Sequence, residues 1–240
     1  GNFYLFQDYY AAAEQYFKKA ISLFNISKNL RGVIIATQNL GVIEKRRKNY
    51  SKAISYYSQA LSSYESINYL IGEGQCLANI GNIYTEKGEY ELALKYLKEA
   101  LVIFKKTKQR NDEVLCYVEL ATMFNKQKNY IKALEAINSS KPFLDSITNN
   151  DNTKTAILYQ LHTTNKNIGN IELAYKYLLD YQTLSDTLSY NASKAKIEIL
   201  QVQYEVEQKD RDIKLLTVEN ELKDTKIKRK SLFQFLYLIT

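Results

Sequence analysis

Apolar side chains recur along the chain every three or four residues, and short polar segments interrupt them at regular distances. In the clearest stretch, residues 77–84 and 92–101 each place Leu, Ala and Tyr on one face of a helix, joined by Ile in the first segment. Lys87, Gly88 and Glu89 separate the two segments. Glycine at this point can adopt the positive φ that ends a helix. The pattern predicts a hairpin of two helices with a turn at 88–89.

The same hairpin pattern repeats every forty residues when the chain is aligned on Gly1, Gly41 and Gly81. Self-similarity at a fixed period of this length indicates stacked structural repeats. The small residues allow the two helices of a hairpin to approach closely, and larger ones fill the space beside them. The recurring columns are Tyr10, Tyr50, Tyr90 and Tyr130; Ala13, Ala53, Ala93 and Ala133; Phe17, Tyr57, Leu97 and Ile137; and Ala20, Ala60 and Ala100.

The order of these residue types resembles the tetratricopeptide repeat, most clearly at Leu77, Ile80, Gly81, Tyr84, Ala93, Leu97 and Ala100. The resemblance implies an all-α, right-handed superhelical solenoid over residues 1–188. Its units are expected near 1–33, 34–73, 74–113, 114–154 and 155–188, with turns near 48–49, 88–89, 128–129 and 169–170. Gly1 aligns with the middle of a first helix, so we expect the first repeat to be truncated. The match is weaker where Ala121, Ser140 and His162 replace the usual small residues.

Composition adds little that is specific. The net charge of +7 arises from basic residues spread among 26 acidic ones, which favours a solvated surface over a nucleic-acid site. The single proline, Pro142, is expected to kink or end the second helix of the fourth unit. Cys76 and Cys116 occupy the same repeat position. Stacked helices lie roughly 8–10 Å apart, farther than the ~7 Å that a disulfide spans between Cα atoms, so we expect two buried free thiols.

No residue pattern supports catalysis, a cofactor or a metal site. The one histidine, His162, stands at a helix-packing position. No His/Cys/Asp cluster has metal-ligand spacing, and no glycine-rich phosphate loop follows a strand. We therefore expect a non-enzymatic chain without a cofactor or metal, although a kinase domain could follow Thr240.

A binding surface is expected where the first helix of each repeat would line the concave groove. Asn39 and Asn79 share one repeat position, and their side-chain amides could pair with the backbone of an extended peptide. Related repeats use asparagine at this position in that way; a solvated polar face is the alternative. The carboxylate clamp of chaperone-tail-binding repeats is not reproduced, because Gln38 and Ala78 stand where it needs other residues. The residues expected on this surface are Gln38, Asn39, Lys45, Arg46, Gln75, Asn79, Asn82, Thr85, Glu119, Thr122, Asn125, Tyr159, Gln160, Thr163 and Lys166.

After Leu188 the repeat stops. Residues 189–230 are highly charged, and the absence of glycine and proline from 190–230 predicts one long helix. Leu215, Val218 and Leu222 form its best apolar seam and could support a homodimeric coiled coil; capping of the last repeat is the alternative. Residues 231–240 are apolar but shorter than the ~20 residues of a membrane span, so we expect the start of a transmembrane helix or, alternatively, an end that packs on a neighbour.

This junction resembles the segment that joins tetratricopeptide sensor regions to the membrane helix of bacterial sensor histidine kinases and helix-turn-helix regulators. The resemblance implies a peptide- or protein-binding sensor that passes a signal through the C-terminal helix to an output domain beyond Thr240. It also implies an inner-membrane anchor with the repeats in the periplasm, whereas the basic cluster Lys226–Lys230 by itself favours the cytoplasmic side. A soluble cytoplasmic scaffold or peptide-responsive regulator is the alternative. No direct nucleic-acid binding is expected of this segment.

Overall fold

The structure is a computed structural model that describes residues 9–143, 152–191, 193, 208–209, 211–217 and 223. The described residues contain no strand, and the all-α repeat fold is confirmed. A short 3₁₀ helix spans Lys141–Phe143. The α-helices are α1 (Tyr10–Ile26), α2 (Leu30–Arg46), α3 (Tyr50–Ser66), α4 (Leu70–Lys87), α5 (Tyr90–Thr107), α6 (Arg110–Lys126), α7 (Tyr130–Asn138), α8 (Asn152–Ile168) and α9 (residues 171–191).

The chain divides into two compact units, Gly1–Leu184 and Ser185–Thr240. The first unit holds the stacked hairpins. In the second unit, the described residues 185–191, 193, 208–209, 211–217 and 223 are helical, and Leu215 is exposed. The remaining seam residues, Val218 and Leu222, and the segment 231–240 lie outside the described residues, so the expected dimer seam and membrane segment stay predictions.

Each hairpin pairs a first helix with a second helix: α2 with α3, α4 with α5, α6 with α7, and α8 with α9. The first helices begin at Leu30, Leu70 and Arg110, forty residues apart and four residues before the unit boundaries expected from the sequence. The core lies inside and between these hairpins. Ala53, Tyr57, Ile80 and Ile83 form one of its buried clusters, which joins two successive repeats.

Seven turns between the described helices share one backbone geometry. In each, one residue has a positive φ and the following N–H donates to a carbonyl five residues earlier, as Glu89 does to Tyr84 at 2.9 Å. This is the Schellman arrangement, which satisfies carbonyls at the end of the preceding helix. The turns expected near 48–49, 88–89, 128–129 and 169–170 are confirmed. The positive-φ residues are Lys28, Lys48, Asn68, Gly88, Lys108, Lys128 and Gly169.

Small residues on the first helices pack against large residues on the second helices. A Cβ placed on Gly81 would lie 2.8 Å from Leu97 Cγ, and one on Gly41 would lie 3.0 Å from the ring of Tyr57. Both distances are tighter than side-chain packing ordinarily allows. The helices of these hairpins therefore approach as closely as glycine permits.

The helix before Pro142 is short. Helix α7 ends at Asn138 after 9 residues, whereas α5 at the equivalent place has 18. A proline ring would clash with the carbonyl four residues earlier, which here belongs to Asn138, and the ring nitrogen has no hydrogen to donate. The expectation that Pro142 ends this helix is confirmed.

Candidate peptide-binding face

Two neighbouring pockets lie on the face that the first helices present, which we call the first-helix face. One, the Arg31 pocket, has a volume of about 320 Å³; the other, the Asp112 pocket, has a volume of about 170 Å³, and Gln75 borders both. The Arg31 pocket is lined by Arg31, Ile35, Gln38, Asn39, Val42, Tyr64, Tyr69 and Gln75. The Asp112 pocket is lined by Lys45, Gln75, Ala78, Asn79, Asn82, Phe104, Asp112, Leu115, Cys116 and Glu119.

Asn39 and Asn79 occupy equivalent positions in the two pockets. The Nδ2 of Asn39 donates to the carbonyl of Ile35, and that of Asn79 donates to the carbonyl of Gln75, both at 2.9 Å. The bond to their own helix fixes each amide in the same orientation. Within the described part of the chain, neither side-chain oxygen accepts a hydrogen bond. Each pocket therefore presents a pre-oriented amide oxygen as an acceptor.

Asn82 has a different environment. Its Oδ1 accepts a hydrogen bond from Lys45 Nζ at 3.1 Å, and its Nδ2 donates to Glu119 Oε2 at 2.5 Å. These contacts connect α2, α4 and α6 across two repeat boundaries. Gln75 makes a longer contact of the same kind, 3.5 Å to Asp112. Asn82 thus joins neighbouring repeats, a role that the asparagine pattern did not suggest.

The other predicted residues lie mostly at the junction of α6 and α8. Thr122 accepts a hydrogen bond from Gln160, and Asn125 donates to Thr164 at 2.8 Å. Thr163 bonds back to the carbonyl of its own helix at Tyr159, whose ring is 52% exposed. Gln38 accepts a hydrogen bond from the hydroxyl of Tyr64 at 3.0 Å.

The expectation that the polar positions are exposed is wrong for two of them. Gln160 is only 5% exposed and Thr85 only 1%. Thr85 donates to the carbonyl of Gly81 inside its own helix, which allows a threonine to be buried at little cost. The amide oxygen of Gln160 is buried without a partner among the described residues. Spacing alone placed both residues at the edge of the first-helix face, and helix packing turned them inward.

Burial sets the electrostatics of the Asp112 pocket. It raises the pKa of the Glu119 carboxyl, although the hydrogen bond from Asn82 and the charge of Lys45 act in the opposite direction. Burial also raises the pKa of Asp112, partly offset by Gln75. The pKa of Lys45 is lowered by burial, with the charge of Glu119 opposing this. The pocket therefore holds ionisable groups whose charged forms are poorly solvated.

Several residues of these pockets were not predicted from the sequence. Arg31 lies over the ring of Tyr69, 5.1 Å from its centroid, at the rim of the Arg31 pocket. Asp112 and Leu115 line the smaller pocket. The sequence alone could have drawn attention to Asp112, because the equivalent position in the two preceding repeats is a glycine, Gly32 and Gly72.

Three further features of the described residues concern disulfides, metal sites and membrane-spanning helices. Cys76 and Cys116 are buried free thiols, as predicted. Among the described residues, no group of three or more His, Cys, Asp or Glu side chains could hold a metal ion. In that same part of the chain, no helix combines the length and apolar character needed to cross a membrane.

A family profile described as tetratricopeptide repeat matches residues 1–66 and 75–144, more than half of the chain. The chain belongs to the tetratricopeptide repeat family. The stacked hairpins therefore form a protein–protein interaction module, the role typical of this family. None of the curated proteins matches the sequence.

Solved tetratricopeptide-like structures share the fold at low sequence identity. BtubC (BKLC) from P. vanneervenii aligns over 78% of each chain with a TM-score of 0.63 and 14% identity. A putative kinesin light chain from Podospora anserina aligns over 78% of this chain and 92% of its own, with a TM-score of 0.57 and 13% identity. A Rap protein in complex with Competence and Sporulation Factor aligns over 74% of this chain and 54% of its own, with a TM-score of 0.58 and 18% identity.

Proposed function

We propose that the first-helix face binds an extended peptide segment whose backbone is held by Asn39 and Asn79. The observation that carries the proposal is the repetition of one amide geometry in two adjacent pockets. Each amide is fixed by a bond to its own helix and keeps its oxygen available to a ligand N–H. A backbone N–H recurs along any extended peptide, so these contacts would not depend on ligand sequence.

The surroundings of the two amides suit such a ligand. Ile35, Val42 and Tyr69 provide apolar and aromatic surface in the Arg31 pocket, and Leu115 and Phe104 do so in the Asp112 pocket. Apolar walls with a few oriented polar groups are typical of binding sites. A Rap protein of similar fold was solved in complex with Competence and Sporulation Factor, so a fold of this kind is compatible with ligand binding.

The proposal extends to the rest of the chain. The repeats would act as the non-enzymatic sensor of a bacterial signal-transduction protein, and residues 189–230 would carry the change to an output domain beyond Thr240. Residues 231–240 would begin an inner-membrane anchor, with the repeats in the periplasm. Fractionation of the full-length protein with protease accessibility in spheroplasts tests this part. Recovery in the soluble fraction, or protection of the repeats in intact spheroplasts, would contradict it.

The peptide-binding proposal is tested by panning the chain against a displayed library of random peptides and measuring the affinity of the selected peptides. Asn39→Ala and Asn79→Ala should each weaken binding by about 0.5–1.5 kcal/mol, the net worth of one hydrogen bond, or roughly two- to tenfold in Kd. Gln59→Ala, on the opposite helix of the hairpin, is the matched control and should leave Kd unchanged.

Asn82→Ala separates ligand binding from repeat stacking. This variant removes the bridge between Lys45 and Glu119, so we expect it to lower the unfolding midpoint, which Asn79→Ala should change little. Selected peptides that bind the Asn39→Ala/Asn79→Ala double variant as well as the original chain would refute the proposal. So would a library that yields no binder.

A further inference from the structure

Asp112 stands at a repeat position where the two preceding repeats have glycine. At this position on the first helix stand Gly32 and Gly72, and a Cβ on either would lie 2.6 Å from an aromatic ring of the preceding helix, Phe24 or Tyr64 respectively. The ring therefore occupies the space of the missing side chain. Asp112 stands in the same column with a full side chain, so the third interface between repeats has to be built differently.

The ring at the third interface is accommodated at another glycine. Phe104, which follows Phe24 and Tyr64 in the repeat, packs against Gly74 of α4, where a Cβ would lie 2.8 Å from its Cε1. Gly74 in turn stands in a column with Ile34 and Val114. Because position 112 has a side chain and position 74 has none, Phe104 and Asp112 both line the Asp112 pocket.

The Asp112 carboxylate has no cationic partner among the residues that the structure describes. It is half-buried, and its hydrogen bonds among the described residues are the 3.5 Å bond from Gln75 and one from its own backbone N–H. No ion pair within that part of the chain includes it. Glu119, also half-buried, contributes a second carboxylate to the same pocket. Lys45 supplies the one ammonium among the described residues that line the pocket, and it bonds to Asn82 instead of to either carboxylate. Acceptors and negative charge are therefore in excess.

The dimensions of the pocket match one side chain. Its volume of about 170 Å³ is well below the ~300–1,000 Å³ of pockets that enclose whole small ligands. Ala78, Leu115 and Phe104 supply apolar wall for an aliphatic stem, and the two carboxylates supply the polar end. Long cationic side chains combine a stem and a charged head in this way.

We propose that the Asp112 pocket accepts the arginine or lysine side chain of a bound peptide, with Asp112 and Glu119 pairing with its charged head. This inference rests on the proposed function and specifies the ligand class. The Asn79 oxygen in the same pocket would accept a backbone N–H near that residue, so backbone capture and side-chain selection would operate together.

Electrostatics gives independent support. Burial raises the pKa of both carboxyl groups because their charged forms are incompletely solvated, and an incoming cation would offset that cost. The chain as a whole carries a net charge of +7, so non-specific attraction of cations is not expected. Selection of a cation would be a property of this pocket, and hydrogen bonds to a charged partner are the stronger class.

The first experiment uses n-butylguanidinium, which reproduces one arginine side chain, and its neutral analogue n-butylurea. Titration into the isotopically labelled chain should shift the side-chain amide signals of Asn79 and Asn82 with the cation alone. Asp112→Asn, of nearly identical shape, should weaken binding roughly tenfold, the worth of a hydrogen bond to a charged group. Glu113→Gln, the adjacent carboxylate outside the pocket, should leave it unchanged.

Lys45→Gln provides an effect of opposite sign. Removing the pocket's own positive charge should strengthen n-butylguanidinium binding, a result that a loss of folding could not produce. Absence of binding, equal binding of n-butylurea, or an Asp112→Asn variant that binds as well as the original chain would overturn the inference. Melting curves of each variant check that it is folded.

The second experiment separates this inference from the proposed function. Peptides selected from the random library should carry Arg or Lys at one fixed position, and Asp112→Asn should remove that enrichment while retaining peptide binding. Selected peptides without the enrichment would overturn the cation pocket and leave backbone capture standing. No selected peptide, together with n-butylguanidinium binding that depends on Asp112, would refute peptide capture and support the pocket.

Discussion

The turn at Lys108 gives the most direct test of how this chain ends its helices. Lys108 has φ 57° and ψ 32°, the left-handed region, at the end of α5. Gly88 has φ 78° and ψ 12° in the preceding turn, with the same pair of backbone hydrogen bonds. A side chain in this conformation brings Cβ close to the following carbonyl oxygen and costs about 1–2 kcal/mol. Glycine avoids that cost but loses more entropy on folding, by about 0.5–1 kcal/mol.

The two effects leave a net gain of about 0.5–1 kcal/mol for glycine over alanine. We therefore expect Lys108→Gly to be more stable than Lys108→Ala by this amount, and Gly88→Ala to be less stable than the original chain by the same amount. Comparing Gly with Ala at position 108 removes the contribution of the lysine charge, which interacts favourably with the end of the helix. A Cβ at position 88 would meet no atom within 4 Å, so packing does not enter the comparison.

The measurement is urea unfolding followed by circular dichroism, with all four proteins compared at one pH and salt concentration. Repeat proteins can unfold in parts. The free energies of unfolding are therefore compared only between proteins whose unfolding free energy depends on urea concentration with the same slope. Equal stability of Lys108→Gly and Lys108→Ala, or a neutral Gly88→Ala, would show that positive φ at these turns costs no more than the entropy that glycine loses on folding, and would refute the predicted order of stability.

The remaining predictions concern the core. Gly81→Ala should destabilise the chain by about 1–2 kcal/mol, because the new Cβ would lie 2.8 Å from Leu97 Cγ and overpacking outweighs the better helix propensity of alanine; an increase in the unfolding midpoint would contradict this. Tyr57→Phe should stabilise by about 1 kcal/mol, since the buried hydroxyl has no partner among the described residues, and a lower midpoint would reveal a hidden partner. Burial raises the pKa of the Cys76 and Cys116 thiols to about 12, so a disulfide reagent at neutral pH should react with them only in denaturant. The folded state retains these protons, and stability should fall as pH rises above about 9, the ordinary thiol value, which unfolding at successive pH values would measure.

The sequence by itself determined the repeat and its internal geometry. A forty-residue period, helical apolar spacing and columns of small residues were enough to predict the hairpins, four of their turns and the end of α7 before Pro142. These features are local: the spacing of apolar residues reports which face of a helix is buried, and Pro142 acts on the carbonyl four residues before it. The identity of the turn residue was less informative, because Lys48, Lys108 and Lys128 adopt the conformation that Gly88 adopts.

The tertiary structure alone decided what each polar side chain on the first-helix face does. Asn79 and Asn82 looked alike in the sequence, yet one keeps a free oxygen within the described chain and the other bridges Lys45 and Glu119. The bridging partners are 37 residues apart, three fewer than the period. That difference is a little less than one helical turn of ~3.6 residues, and it is set by the offset between stacked first helices. Periodicity fixes the face on which a residue lies, whereas the offset fixes which neighbours it meets, and no single repeat contains that information.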